Sequence, residues 1–168
     1  MIRIKKSKTA DTRSCDFSQV NQDQLYGSSI QHIEDVNLGI TFFIQMLKDA
    51  AINHDKDKLT GLAHFHSDFI TGFKETGWWE NHRKITRHHL LQADGIPEDV
   101  NLIDVLEMIT DCVMAGIGRT GDVYPFNIAP ETLMKAFENT ANLLKKQIIV
   151  EEEALTSGCR PTTNPAHD

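Results

Sequence analysis

The 168-residue sequence predicts a single all-α domain. Apolar residues recur at steps of three and four through long stretches, which is the period of a helix with one buried face. Hydrophobic residues make up 40% of the chain and charged residues 24%, as in ordinary globular domains. The periodic stretches amount to about five helices, with little strand between them. We therefore expect a helical bundle with one core.

Residues 1–27 are predicted to form an extended N-terminal arm. Ile2 and Ile4 alternate with basic residues, which is compatible with a short strand or with an extended arm at the start. Gly27 then precedes two serines whose hydroxyls suit the start of a helix that runs to about residue 52. His32 begins the apolar stripe of that helix and is expected to point inward. The rest of the stripe is Val36, Ile40, Phe43, Leu47 and Ala50.

Four more helices are predicted after the first, and they complete a domain over residues 28–150. The second covers about 58–74, before Gly77, and the third covers about 78–91, before a turn at 93–97. The fourth covers about 101–117 and leads into a glycine-rich loop at 116–122. The last begins at Pro130, a residue suited to the first turn of a helix, and runs to about 150. The polar residues 151–168 are expected to be disordered.

Composition excludes several classes of protein. The net charge of −7 argues against extended binding to nucleic acid. No apolar run approaches the length of about 18 residues that would span a membrane, and the N-terminus does not resemble a secretory signal. Three cysteines without CxxC spacing indicate a reducing compartment rather than a disulfide framework. The expected location is the cytoplasm.

Histidines and aspartates in a particular order are the main chemical feature. Imidazole and carboxylate ligands together suit Mn, Fe, Co, Ni or Zn, whereas Ca and Mg prefer oxygen ligands alone. A carboxylate such as that of Asp55 can bridge two cations, and two cations can activate water against a phosphate. One or two divalent transition metals are therefore expected. The set is His32, His54, Asp55, His82, His88, His89 and Asp111.

The order H…HD…D resembles the HD superfamily of metal-dependent phosphohydrolases. The additional histidines are similar to its multi-metal branches, such as the HD-GYP phosphodiesterases, whose pattern is H…HDxxK…H…HH…D. The resemblance covers roughly residues 28–117. Gly95-Ile96-Pro97 stands where GYP would be, and His82 is closer to His88 than in those enzymes, which disfavours a cyclic dinucleotide substrate. The chain is also similar to small uncharacterised HD-like proteins from phages and bacteria, which implies a cytoplasmic protein encoded either by a bacterium or by a phage in its host.

The resemblance implies a role for each residue of the pattern. Asp55 would bridge two metals, and Lys58, one helical turn later, would contact the substrate phosphate or the attacking water. Arg119, just after the metal-bearing helix, would be a further phosphate contact. Glu107 would orient a ligand histidine or complete a hydrogen-bond network. The terminal ligands of one metal would be His32, His54 and Asp111, and a second metal would be completed by His82, His88 and His89.

The resulting hypothesis is an enzyme, a metal-dependent phosphohydrolase that acts on a small phosphorylated compound, with a nucleotide as the favoured substrate. Two alternatives stay open. One is a di-iron oxygenase on the same scaffold, resembling myo-inositol oxygenase. The other is a non-catalytic phage protein that binds nucleotides. Apolar residues at 148–150 could support a homo-oligomer.

Overall fold

The computed structural model describes residues 1–6 and 20–151, which are mostly helical, as predicted. A short 3-10 turn, Ala93–Gly95, precedes the fifth helix. The elements in chain order are strand β1 (Ile2–Lys5), helices α1 (Gln22–Asn53), α2 (Lys56–Thr60), α3 (Leu62–Phe69), α4 (Trp78–Ile85), α5 (Leu102–Thr120) and α6 (Pro130–Gln147), and strand β2 (Ile148–Glu151).

The chain divides into two compact units, one made of Met1–Asp35 with Ile148–Asp168 and the other of Val36–Gln147. In the first unit, β1 and β2 pair in parallel, with Ile2 opposite Ile148. Of the two alternatives for the start of the chain, the short strand is therefore the one that the structure shows. The last helix, predicted to reach residue 150, ends at Gln147 because the β-branched residues that follow pair with β1. The predicted boundaries at residues 27 and 151 stay predictions, and the expected disorder of the tail concerns residues outside those described.

The core of the second unit lies where α5 packs against α6. Asn101 and Asp104 form a capping box at the start of α5, and the Leu102 backbone N–H donates to Thr140 Oγ1 of α6 at 2.8 Å. Each fully buried Leu, Val or Met side chain contributes about 1.5–3 kcal/mol to this packing. The core therefore holds α5 firmly, and α5 carries Glu107 and Asp111. The buried cluster is Leu90, Val100, Val105, Met108, Cys112 and Ala136.

Several predicted helix boundaries are wrong. The segment predicted as one helix over 58–74 is two helices, because Gly61 ends α2 with its backbone N–H on the Asp57 carbonyl. The helix predicted to reach residue 91 ends at Ile85, where Thr86 adopts an extended conformation. Helix α5 continues to Thr120, so Arg119 is helical rather than in a loop. Gly121, with φ 83°, supplies the left-handed residue that ends α5.

Much of the apolar stripe of α1 is exposed, with only Phe43 and Ala50 half-buried. Val36 is 44% exposed and Ile40 is 51% exposed, and His32 is exposed as well. Helical periodicity identifies residues that share a face, but it does not determine which element covers that face. The prediction that His32 points inward is therefore wrong. Among the helices of residues 20–151, none is both long enough and apolar enough to cross a membrane.

Candidate metal centre

The centre begins at the end of α1. Asp55 follows His54 in the left-handed region, with φ 51° and ψ 21°, which ends α1 and starts α2. Aspartate adopts this conformation more readily than most residues. The turn brings Lys58 back to Asp55, because its backbone N–H donates to the Asp55 carbonyl and its Nζ donates to Asp55 Oδ2. The His-Asp pair therefore lies at a break between helices rather than within one.

The turn after α4 carries His88 and His89. Arg87 fixes this turn to the start of α5 by donating to both carboxylate oxygens of Asp104, at 2.8 and 2.9 Å, and to Asp99 Oδ1 at 2.9 Å. A Cβ at Gly95 would overlap the His89 carbonyl, so only glycine permits this packing. Adjacent residues of a helix point about 100° apart, but these two histidines lie outside a helix and can face the same cluster.

Three imidazoles converge on the carboxylate of Asp55. His82 Nε2 lies 3.3 Å from Asp55 Oδ1 and His88 Nε2 lies 3.6 Å from it. With His89, these residues offer ligand atoms within 4.8 Å of one another. Asp55 Oδ1 and the three Nε2 atoms are buried and have no hydrogen-bond partner among the described residues. Unpartnered buried polar atoms cost about 1–3 kcal/mol each, and a cation among these four would satisfy all of them. The residues therefore fit a bound transition metal.

A second group of possible ligands consists of His54, His88 and Glu107. Glu107 Oε1 lies 2.9 Å from His54 Nδ1 and 3.1 Å from His88 Nδ1. A neutral imidazole has only one lone-pair nitrogen, so His88 cannot bind a cation on both sides. Because Glu107 already accepts a hydrogen bond from His54, while His88 Nε2 has no partner, the group around Asp55 is the better cation site. Glu107 then orients the imidazole of His54 through its hydrogen bond, and it lies beside Nδ1 of His88 without a hydrogen bond to it.

His54 lies beside the same carboxylate, and Asp111 lies beside His54. His54 Nε2 is 3.7 Å from Asp55 Oδ2 and 3.7 Å from Asp111 Oδ1. Among the residues predicted from the sequence, the structure thus brings together His54, Asp55, His82, His88, His89 and Asp111, with Lys58 beside Asp55.

Two predicted residues are not part of this arrangement. His32 is exposed on α1, in the first unit, and belongs to neither group of ligand atoms, so its assignment as a ligand stays a prediction. Arg119 is exposed in the last turn of α5, and its contact with phosphate also stays a prediction.

One residue of the centre was missed. Asp57, for which no role at the centre was predicted, has its Oδ2 2.7 Å from Nδ1 of His82. The indole of Trp78 stacks on the same imidazole, with ring centroids 4.8 Å apart. The only signal in the sequence was a second carboxylate two residues after Asp55, which does not by itself reveal its partner.

The electrostatics of the centre favour the protonation states that bind metal. Burial raises the pKa of Asp55, but the adjacent imidazole of His82 and the hydrogen-bonded ammonium group of Lys58 outweigh it and hold that pKa well below its ordinary range. Burial, with smaller contributions from His88 and His82, lowers the pKa of His89 to about 3. At neutral pH Asp55 is therefore ionised and His89 is neutral, as metal ligands must be.

Acidification is expected to destabilise the metal-free protein through His89. Its pKa is about 3 when folded and about 6.5 when unfolded, so the unfolded state binds more protons between these values. The free energy of unfolding should fall as the pH drops from 6.5 towards 3. Urea unfolding in the presence of a chelator, at pH 6.5 and pH 4.5, measures this fall. His89→Gln should reduce it and His64→Gln, at an exposed site, should not; equal pH dependence in the wild type and His89→Gln would refute the assignment.

Besides a smaller cavity of about 210 Å³ at His88 and His89, two larger cavities border the centre within the second unit. The larger, of about 460 Å³, has apolar walls from α1 and α5, including Leu47, Leu106 and Met114, and reaches His54 and Asp111. None of its lining residues is Lys or Arg. The other, of about 310 Å³, is more acidic and includes Asp49, Asp55 and Asp104. A small molecule in the larger cavity would therefore meet an apolar wall as well as His54 and Asp111.

Comparison of the chain with models of protein families, with curated proteins and with solved structures finds no match. The function is therefore inferred from the residues of the centre.

Proposed function

We propose that the protein is a metal-dependent phosphohydrolase that acts on a small phosphorylated compound, with a nucleotide as the favoured substrate. The observation that carries this proposal is the set of four buried, unpartnered ligand atoms on Asp55, His82, His88 and His89. Nitrogen and oxygen donors in this combination suit Mn, Fe, Co, Ni or Zn.

The ligand set defines how a metal would be held. Asp55 Oδ1 and the Nε2 atoms of His82, His88 and His89 would hold one ion. His54 Nε2 lies 3.7 Å from Asp55 Oδ2 and 3.7 Å from Asp111 Oδ1, so these three residues could hold a second. A metal bound here would activate water and offset the negative charge of a phosphoryl group.

Lys58 supplies a fixed positive charge at the edge of the centre. Its Nζ is bonded to Asp55 Oδ2, and its side chain is 28% exposed, so it can also face a ligand. Phosphoryl transfer depends mainly on positioning and on charge stabilisation at the phosphoryl oxygens. Lys58 would therefore contact a phosphoryl oxygen of the substrate while Asp55 holds its ammonium group in place.

The larger cavity would take the organic part of the substrate. Its volume of about 460 Å³ lies within the range of about 300–1,000 Å³ that is typical of small-molecule sites. Its apolar walls and lack of Lys and Arg suit an uncharged planar group such as a nucleobase, with the phosphate directed towards His54 and Asp111.

Elemental analysis of the purified protein, followed by a phosphate-release assay with the metal found, tests the proposal. Mono-, di- and triphosphates of several nucleosides and simple phosphomonoesters form the panel. Lys58→Met should lower kcat/KM about 100-fold without changing metal content, by loss of charge stabilisation. Lys56→Met, which removes an exposed charge from the same helix, is the matched control.

Two results would overturn the proposal. Two irons with oxygen consumption and no phosphate release would favour the oxygenase. Nucleotide binding without turnover for every metal tested would favour a non-catalytic binding protein.

A further inference from the structure

His82 is the most completely enclosed imidazole of the centre. Its side chain is 0% exposed and lies between two carboxylates, with Nδ1 2.7 Å from Asp57 Oδ2 and Nε2 3.3 Å from Asp55 Oδ1. Trp78 stacks on the ring with an interplanar angle of 12°, and Trp79 lies nearby with a centroid distance of 5.4 Å. The two indoles restrict the orientation of the imidazole plane. They do not determine which of its nitrogens carries the proton.

The contact with Asp57 determines which nitrogen of His82 carries the proton. An ionised carboxylate only accepts hydrogen bonds, so Nδ1 of His82 must be the donor. A neutral imidazole carries one ring proton, which leaves Nε2 with its lone pair. That lone pair is buried, has no hydrogen-bond partner among the described residues and faces the carboxylate oxygen of Asp55. Two acceptors at this distance repel each other unless a cation or a proton lies between them.

We propose that Asp57 is a positioning residue, which holds His82 in the tautomer whose Nε2 is ready to bind a cation. The inference rests on the proposed metal centre, but Asp57 does not itself bind the metal, because it belongs to neither group of ligand atoms. Its second oxygen, Oδ1, is buried without a hydrogen-bond partner, which costs free energy. The Asp57–His82 pair is therefore better explained by orientation of the ligand than by stability.

Glu107 plays the same part for His54, and it approaches Nδ1 of His88 as well. Asp57 is the better residue to replace, because it contacts a single imidazole. It also lies outside α5, whose residues form much of the core. Its removal changes the surroundings of one imidazole and leaves the contacts of Glu107 with His54 and His88 in place.

The tautomer is measured directly in the metal-free protein. Two-bond nitrogen–proton correlation spectra of histidine-labelled wild type should show the His82 proton on Nδ1. In Asp57→Ala this preference should be lost, and the affinity for Co²⁺ or Zn²⁺ in a titration should fall about 10–100-fold. Asp57→Asn keeps an oxygen that can accept the same hydrogen bond, so its tautomer and affinity should stay close to wild type. Glu138→Ala, which removes an exposed carboxylate from α6, controls for charge.

The possible negative results of these measurements lead to different conclusions. A wild-type spectrum with the proton on Nε2, or wild-type tautomer and affinity in Asp57→Ala, would overturn the role of Asp57. If the wild type binds none of the metals, the proposed function fails, and the role of Asp57 as positioning residue for a metal ligand falls with it. If Asp57→Ala does not fold, the wild-type spectrum and Asp57→Asn still decide the tautomer.

Discussion

Asp55→Asn is expected to abolish metal binding while the fold stays intact. The carboxylate of Asp55 lies among three imidazoles, and no other residue of the group offers an anionic oxygen. Loss of residues that merely orient ligands weakens binding about 10–100-fold, so loss of this ligand should exceed 100-fold. Hydrolysis should fall with metal content. Isothermal titration with Zn²⁺ or Co²⁺ and the phosphate-release assay provide the two measurements.

Asparagine is chosen so that the loss of the carboxylate ligand can be distinguished from an effect on the backbone conformation. Asp55 has φ 51°, and asparagine, unlike alanine, adopts this conformation readily. Asp55→Ala should therefore lose metal and also about 1–2 kcal/mol of stability. Asp122→Asn, at an exposed position, makes the same chemical change away from the centre. Full metal content in Asp55→Asn would contradict the assignment of this residue.

Arg87→Met is expected to cause the largest loss of stability. The guanidinium bonds with both oxygens of Asp104, whose side chain is 4% exposed, and hydrogen bonding to Asp104 raises the pKa of Arg87. Without Arg87, the buried carboxylate keeps only the backbone N–H of Asn101 at 2.9 Å. Because the side chain of Arg87 is 40% exposed, we expect a loss of about 3 kcal/mol, the lower end for broken buried pairs. Urea unfolding measures it.

A second variant identifies the cause of that loss. If the unpaired carboxylate is responsible, Asp104→Asn in the Arg87→Met background should recover part of the stability. Lys84→Met removes a positive charge from an exposed neighbouring position and should change stability by about 0.5 kcal/mol or less. A similar loss in Lys84→Met, or no recovery in the double variant, would contradict this account.

The helices were predictable because each has a long apolar period and recognisable ends. The start of the last helix at Pro130 and the cap at Asn101 follow from local chemistry. The ends were less predictable where they depend on tertiary contacts. Helix α4 ends before Thr86 although the apolar pattern continues. It ends there because Arg87 donates hydrogen bonds to Asp99 and Asp104, which lie 12 and 17 residues further along the chain.

Much of the candidate centre could be listed from the sequence but not assembled from it. His82, His88 and His89 were candidates because of their number and order, and Asp55 because it follows His54. Their convergence depends on the left-handed turn at Asp55 and on the non-helical turn after α4. His32 shows the limit of periodicity, because a residue on an apolar stripe is buried only if another element covers it.

By itself the amino-acid sequence determined the helical class, the inventory of metal-binding side chains and the chain positions at which they occur, because these follow from local periodicity and side-chain chemistry. Only the tertiary structure decided which nitrogen of each imidazole faces Asp55, and that Asp57 and Glu107 lie on the opposite nitrogens. Those choices depend on distances between residues up to 53 positions apart, which no local pattern encodes.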